Sequence, residues 1–240
     1  LSASGVSVLE NGRKVQRDIY FKNVFVCAGA IQTPALLRRS GIKRNIGNSL
    51  SMHPMVRMPT LFNDRVYEAD RGIPVHQVQE FKPHITLGCS VSSPAFLALW
   101  MSGRAENIYN KLLNWPNYAI YYASIISNSK GTIRNLPALD EPLVRFNLSQ
   151  KDMTLLGEGL YRLGILLFEV GAEELLSPVQ GFPLIKKPAD LKVFKQGLPH
   201  AITNITTIHL FSSCPMGEAL RFCATDSFGK VHGYNNIYIN

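Results

Sequence analysis

Two of the six histidines in this chain of 240 residues lie in motifs where the side chain could support acid–base chemistry. His209 begins the sequence HLFSSCPMG, in which an apolar run leads into a turn of small residues. A histidine at the end of a strand can act as a general base, because its charge state changes near neutral pH. The alternative is a core histidine that makes only structural hydrogen bonds. His53 precedes Pro54, which holds it out of helical conformations and favours a structural role.

A glycine turn near the start of the chain is a second candidate site. The apolar run Val24–Ala28 predicts a short strand of the parallel, doubly buried kind, and Gly29 interrupts it. Thr33 is predicted as the N-cap of a helix with Pro34 in its first position, and Gly41 as its end. A glycine between strand and helix lets a ligand approach the backbone, and a helix start favours an anion. A purely structural turn is the alternative.

The middle of the chain predicts an antiparallel sheet. Residues 85–91 alternate between apolar and small or polar side chains, as in a strand with one buried face. Residues 118–126 are aromatic and β-branched, and 144–148 alternate again. Further strands are predicted at Thr206–Phe211 and Ile237–Ile239.

One long helix is predicted to follow this sheet. Ser149 and Asp152 have the spacing of a capping box, with Asp in place of Glu. An apolar stripe follows at helical spacing, made of Leu156, Leu160, Leu163, Leu167 and Val170. Gly157, Gly159 and Gly164 weaken a helix unless a neighbouring element packs closely against them.

Composition and charge restrict the class of protein. Apolar residues make up 46% of the chain, which is typical of a globular domain with a sizeable core. The net charge is +8, but the basic residues are scattered, so no nucleic-acid partner is expected. The sequence contains no apolar run of 18 residues, so no membrane span is predicted. Four cysteines do not make a disulfide framework in a chain of this length, which favours a reducing compartment.

Four motifs in a fixed order carry a family resemblance. They are AGAIQTPALLRRSGI from Ala28, GNSLSMHP from Gly47, HLFSSCPMGE from His209 and DSFGKVHGYNNIYI from Asp226. Together they resemble the glucose–methanol–choline (GMC) oxidoreductases along nearly the whole chain. Ser213 and Lys230 depart from the family pattern, which usually has Thr and often Arg at these positions.

The resemblance implies an α+β or α/β fold in which an FAD-binding, Rossmann-like domain is interleaved with an antiparallel-sheet substrate domain. Residues 1–57 and 205–240 are then expected in the FAD-binding domain, and 58–204 in the substrate-binding domain. Ala28 and Gly29 match family residues that lie against the flavin nucleotide. His209 matches the catalytic histidine that takes the proton of a small-molecule alcohol while hydride moves to the flavin. Oxygen or another electron acceptor would reoxidise the cofactor.

Parts of the family pattern are missing, and their absence predicts a C-terminal fragment. No GxGxxG, the turn that cradles the FAD pyrophosphate, lies near Leu1. The chain ends at Asn240, one residue before the family's flavin-contacting Asp and before its second catalytic residue. The polypeptide by itself is therefore expected to hold FAD weakly and to be inactive.

Two other functions are open at this point. A non-catalytic binding protein descended from the same fold need not use His209. A zinc site could be formed by His209, Cys214, Cys223 and His232, although their spacing lacks the close pairs of structural zinc sites. No GxSxG occurs, which argues against a serine hydrolase. The substrate pocket is expected among aromatic residues of the middle segment: Phe62, Tyr67, Trp100, Trp115 and Tyr121.

Overall fold

A computed structural model describes residues 2–67, 72, 75–102, 107–182 and 184–240 of the chain. The chain divides into two compact units, each made of separate segments. The first unit comprises Leu1–Ser51, Lys130–Asn147 and Leu210–Asn240. The second unit comprises Met52–Ser129 and Leu148–His209.

Both units contain strands and helices. Within the described residues the strands are β1 (Ser2–Glu10), β2 (Arg13–Tyr20), β3 (Val24–Val26), β4 (Ser51–Met52), β5 (Met55–Phe62), β6 (Gln77–Val78), β7 (Ile85–Ser90), β8 (Tyr118–Ile125), β9 (Thr132–Arg134), β10 (Leu143–Arg145), β11 (Ala172–Leu175), β12 (Leu210–Phe211) and β13 (Ile237–Ile239). The α-helices are α1 (Gly29–Arg39), α2 (Pro94–Met101), α3 (Ile108–Leu113) and α4 (Gln150–Glu169), and short 3₁₀ segments cover Trp115–Asn117, Pro188–Gln196 and His200–Ile202. None of the helices in the described ranges is long and apolar enough to cross a membrane.

The first unit contains the predicted parallel strand. β3 pairs in parallel with β13, with Val24 opposite Ile237 and Val26 opposite Ile239. The amide of Asn240 extends this pairing by donating to the Val26 carbonyl at 3.2 Å. The parallel pairing predicted from the apolar run is therefore confirmed. The prediction that both faces of the strand are buried is wrong, because Phe25 is 64% exposed. At the start of the unit, Asn11 and Gly12 turn β1 into β2 with positive φ angles of 50° and 77°.

Helix α1 begins earlier than predicted. It starts at Gly29, so the prediction of Thr33 as its N-cap is wrong. Gly29 has a φ of +74°, which lets the chain pass directly from the strand into the helix. Thr33 lies inside the helix, where its hydroxyl accepts a hydrogen bond from the Ala28 amide at 3.1 Å. Pro34 is also internal rather than in the first position.

The compact units differ from the predicted domain boundaries in three segments. Residues 130–147 belong to the first unit, because Ile133 is buried with Ala35 and Leu50 there. β10, which was expected in the antiparallel sheet of the middle segment, pairs with β9 in this first unit. Residues 52–57 and 205–209 belong to the second unit, where Met55 and Thr206 form a backbone bridge.

The second unit is built on the antiparallel sheet that the middle segment predicted. Its strand order is β11-β5-β8-β7-β6. α4 covers one face, where its leucines pack with Val56, Met58, Leu87 and Ala123. On the opposite face, residues of α2 pack with Tyr118 and Ile120 of β8.

Helix α4 has the predicted N-terminal cap. The Ser149 hydroxyl accepts from the Asp152 amide, and the Asp152 carboxylate accepts from the Ser149 amide at 2.9 Å. These hydrogen bonds lower the pKa of Asp152 even though burial acts to raise it. The predicted apolar stripe is buried from Leu156 to Leu167, but Val170 is 61% exposed because it caps the end of the helix.

Candidate active site

The candidate active site of the second unit is a pair of histidine side chains. The rings of His53 and His209 have their centroids 5.6 Å apart and meet edge to face, at an interplanar angle of 88°. His53 is half-buried and His209 is exposed. The sequence separates the two residues by 156 positions, so their spacing alone could not indicate this contact.

Backbone hydrogen bonds next to the pair hold it in place. Met55 and Thr206 exchange amide–carbonyl bonds of 2.8 and 2.9 Å, which bring the segments that carry His53 and His209 together. The Pro54 carbonyl, which follows His53 in the chain, accepts from the Ile125 amide at 3.0 Å. His209 itself precedes β12 and lies outside any strand, so the predicted strand Thr206–Phe211 is reduced to its last two residues.

The surroundings of His53 favour its neutral form. Burial lowers its pKa below the ordinary value of 6.5, and the neighbouring His209 lowers it further. A neutral imidazole has one ring nitrogen that accepts a proton or a hydrogen bond. His53 is therefore suited to accept a hydrogen bond in its neutral form.

Replacing His209 with glutamine should raise the pKa of His53 toward its ordinary value, because one of the two causes of its depression is then removed. The measurement is the titration of the His53 ring proton by nuclear magnetic resonance. Replacing the exposed His200 with glutamine is the matched control and should leave this titration unchanged. An unchanged His53 titration in the His209→Gln protein would contradict the contact.

The glycine turn of the first unit is open to a ligand. Cys27, Ala28 and Gly29 are all exposed, and a side chain placed on Gly29 would meet no other atom within 4 Å. Helix α1 carries no acidic side chain in its first turn and no side-chain cap. Its first amides are therefore suited to an anion such as a phosphate.

The residues of the alternative zinc site make other contacts. Burial raises the pKa of Cys214 to about 11, which disfavours the thiolate that binds zinc. The His232 ring contacts the Gly217 carbonyl through Nε2 at 3.0 Å. In the described part of the chain, no three His, Cys, Asp or Glu side chains are arranged to hold a metal ion.

Comparison with known proteins identifies the family. Residues 2–55 match the model of the GMC oxidoreductases. An uncharacterised GMC-type oxidoreductase of Sinorhizobium fredii is 40% identical over 217 residues, which are 90% of this chain and 43% of that protein. The chain belongs to the GMC oxidoreductase family. This family is FAD-dependent.

Other proteins that this chain resembles are more distant. A GMC-type oxidoreductase of Mycobacterium tuberculosis is 27% identical over 229 residues, covering 92% of this chain and 36% of its own. A long-chain-alcohol oxidase of Arabidopsis thaliana is 23% identical over 258 residues. This match covers 96% of this chain and 33% of the oxidase. A formate oxidase crystal structure has the same fold, with a TM-score of 0.66 at 14% identity over 98% of this chain and 52% of that one. The chain thus spans about half or less of the proteins it matches.

Some of the residues predicted to form the substrate pocket line two cavities in the second unit of this GMC-family chain. Tyr67 and Tyr121 line a cavity of about 440 Å³ with Ser90 and Ser92. Tyr121 also borders a second cavity of about 240 Å³, whose other walls are mostly apolar. Of the remaining predicted residues, Phe62 lies in the core, Trp115 packs edge to face on Tyr67, and Trp100 packs on Arg57.

Proposed function

We propose that this chain forms part of an FAD-dependent oxidoreductase that oxidises an alcohol at its CH–OH group, with His209 as the base. The observation that carries the proposal is the histidine pair, in which His209 is exposed beside a second imidazole. The names of two distant relatives, both long-chain-alcohol oxidases of Arabidopsis thaliana, support an alcohol as substrate.

The chemistry assigned to the histidines is proton transfer. An alcohol becomes a better hydride donor when its O–H proton is removed. A positioned general base accelerates such a reaction by about 10²- to 10⁴-fold. His209 accepts that proton, and the carbon loses a hydride, so that the alcohol becomes a carbonyl compound. FAD, when bound, supplies the hydride acceptor. His53, with its lowered pKa, provides a neutral ring that orients the His209 imidazole.

The two compact units divide these tasks in the proposal. The first unit holds the nucleotide part of FAD, with Ala28 and Gly29 as the backbone that it approaches. The open space over Gly29 and the uncapped start of α1 both fit a phosphate-bearing ligand. The second unit binds the alcohol. Oxygen or another acceptor takes the electrons in a later step.

The direct test of this function is product formation. The flavin-loaded full-length enzyme, of which this chain is a part, is incubated with a panel of primary alcohols, including long-chain ones, and the carbonyl product is measured against the acceptor consumed. The proposal predicts one carbonyl per two electrons delivered. Bound flavin with no carbonyl product from any alcohol would instead favour the non-catalytic descendant.

Replacing Gly29 with alanine should reduce the amount of flavin that the enzyme retains. Gly41 is a matched control, because it also has a positive φ and open space around it, but lies at the other end of α1. Each alanine should cost about 1 kcal/mol of stability through backbone strain. Only Gly29→Ala should lower the ratio of flavin to protein absorbance after gel filtration. Equal ratios in the two variants would remove Gly29 from the proposed cofactor site.

A further inference from the structure

Arg57 is a buried cation in β5, near the histidine pair along the chain. Its side chain is 8% exposed, its Nη1 donates to the Thr206 hydroxyl, and its guanidinium carbon lies 4.6 Å from the centre of the Trp100 ring. A guanidinium has five N–H donors, of which these contacts use one. Its Nε is buried and has no hydrogen-bond partner.

Among the residues that the structure describes, no carboxylate forms an ion pair with this cation. The ion pairs formed by described residues join Lys111 to Glu174, Arg162 to Glu158 and Lys230 to Asp226, and none includes Arg57. Burial lowers the pKa of Arg57, and the Tyr122 side chain acts in the opposite direction. A buried charge without a partner destabilises the folded state, so packing alone does not explain an arginine here.

Arg57 ends a row of side chains that crosses the sheet. The strand register places Gln77 opposite Gly88, Gly88 opposite Tyr122, and Tyr122 opposite Arg57. Because side chains alternate between faces, this row lies on the face opposite α4, which contacts Met58, Leu87 and Ala123.

The Tyr122 side chain points away from Arg57, over Gly88 and toward Gln77. Gly88 has no side chain, and a Cβ there would lie 2.5 Å from the Tyr122 hydroxyl oxygen. Gln77 donates to that hydroxyl at 2.9 Å. The Tyr122 ring therefore lies over Gly88, toward β6, and its hydroxyl does not satisfy the guanidinium.

We infer that Arg57 selects the substrate by binding a carboxylate group on the alcohol molecule. The grounds are its unpaired N–H donors and its place on the face of the sheet opposite α4. A guanidinium presents its donors as a planar fork that matches a carboxylate, and such charge-assisted bonds are strong where water is excluded. The inference rests on the proposed function, since it names the class of alcohol: a hydroxy acid. Arg57 is thus assigned as a specificity-determining residue.

The distance from Arg57 to the proposed base suits a small molecule. Thr206, whose hydroxyl contacts Arg57, precedes His209 by three residues. Three residues of chain span at most about 11 Å. A carboxylate at Arg57 and a CH–OH group at His209 can therefore belong to one molecule of the size of a benzoate derivative.

A pair of alcohols that differ only in charge tests this inference. The flavin-loaded enzyme is reduced anaerobically with para-(hydroxymethyl)benzoate and, separately, with para-(hydroxymethyl)benzamide. The second-order rate constant for the carboxylate should exceed that for the amide by about 10- to 100-fold, the effect of one or two charge-assisted hydrogen bonds. Arg57→Met should abolish this preference, and Arg57→Lys should keep part of it.

Arg162→Met is the matched control, because Arg162 also stacks on an aromatic ring but is paired with Glu158. This variant should keep the preference. Arg57→Met should also have an unchanged or higher Tm, since it removes an uncompensated buried charge. A large fall in Tm would assign Arg57 a structural role and overturn the inference. Equal rates for the two alcohols in the unmodified enzyme would overturn it without any variant.

Binding of benzoate, which cannot be oxidised, separates this inference from the proposed function. Calorimetry should detect tighter binding of benzoate than of benzamide to the unmodified enzyme, and no such difference in Arg57→Met. If neither alcohol reduces the flavin but benzoate binds in this way, the proposed function fails and the carboxylate site stands. If alcohols reduce the flavin without regard to charge, the carboxylate site fails and the proposed function stands.

Discussion

Replacing His209 with glutamine should slow the reduction of bound flavin by an alcohol by about 10²- to 10⁴-fold, the contribution of a positioned general base. Glutamine has a similar size and can make hydrogen bonds, but it cannot accept the alcohol proton. Because His209 is exposed, the fold should tolerate the change. Flavin content should also stay the same, since the role proposed for this side chain is toward the alcohol. Anaerobic stopped-flow measurement of flavin bleaching gives the rate.

Two other histidine variants make this result specific. His200→Gln changes an exposed histidine elsewhere in the second unit and should leave the rate unchanged. His53→Gln removes the neighbouring ring and should slow the reaction less than His209→Gln does, because the base itself remains. Reduction of the His209→Gln flavin at the unmodified rate would return His209 to the role of a structural histidine.

The largest effect on stability is expected for Gly157→Ala in α4. Alanine in place of glycine normally stabilises a helix by about 1 kcal/mol. Here a Cβ would overlap the Phe194 carbonyl oxygen and approach the Gly197 Cα at 3.1 Å, and both are backbone atoms that cannot rotate away. The overpacking should lower the free energy of unfolding by about 1–3 kcal/mol. Denaturant unfolding measures the change.

Gly164→Ala is the informative comparison. Its new Cβ would meet the end of the Leu191 side chain, which can adopt another rotamer. The free energy of unfolding should therefore fall less than in Gly157→Ala. Lys151→Ala changes an exposed position in the same helix. Its free energy of unfolding should stay within about 0.5 kcal/mol of that of the unmodified protein. A Gly157→Ala protein more stable than the unmodified one would show that the 3₁₀ segment carrying Phe194 moves away from α4.

Local patterns in the sequence were sufficient to predict several elements. The apolar run at 24–28 indicated a parallel strand, and Ser149 with Asp152 indicated the start of α4, because each depends on neighbouring residues alone. The start of α1 was misplaced because Thr33 has the composition of an N-cap but makes its hydrogen bond from within the helix. Gly29, at positive φ, was the better signal for that boundary.

The site was only partly predictable. His209 was singled out by its motif, whereas its contact with His53 depends on the bridge between Met55 and Thr206, which no local pattern encodes. Arg57 was missed because it occurs in an apolar strand with nothing beside it in sequence to suggest chemistry. Its unpaired donors become apparent only when the register of four strands is known.

The most direct test of the account is the reduction of bound flavin by an alcohol deuterated at the carbinol carbon, in the absence of oxygen. Hydride transfer from that carbon predicts that the flavin bleaches and that it bleaches more slowly with the deuterated alcohol than with the ordinary one. Bleaching by either alcohol should be slowed in His209→Gln, since the proton acceptor is gone. Flavin that remains oxidised with every alcohol, yet is reduced by dithionite, would contradict the assignment of this chain to alcohol oxidation.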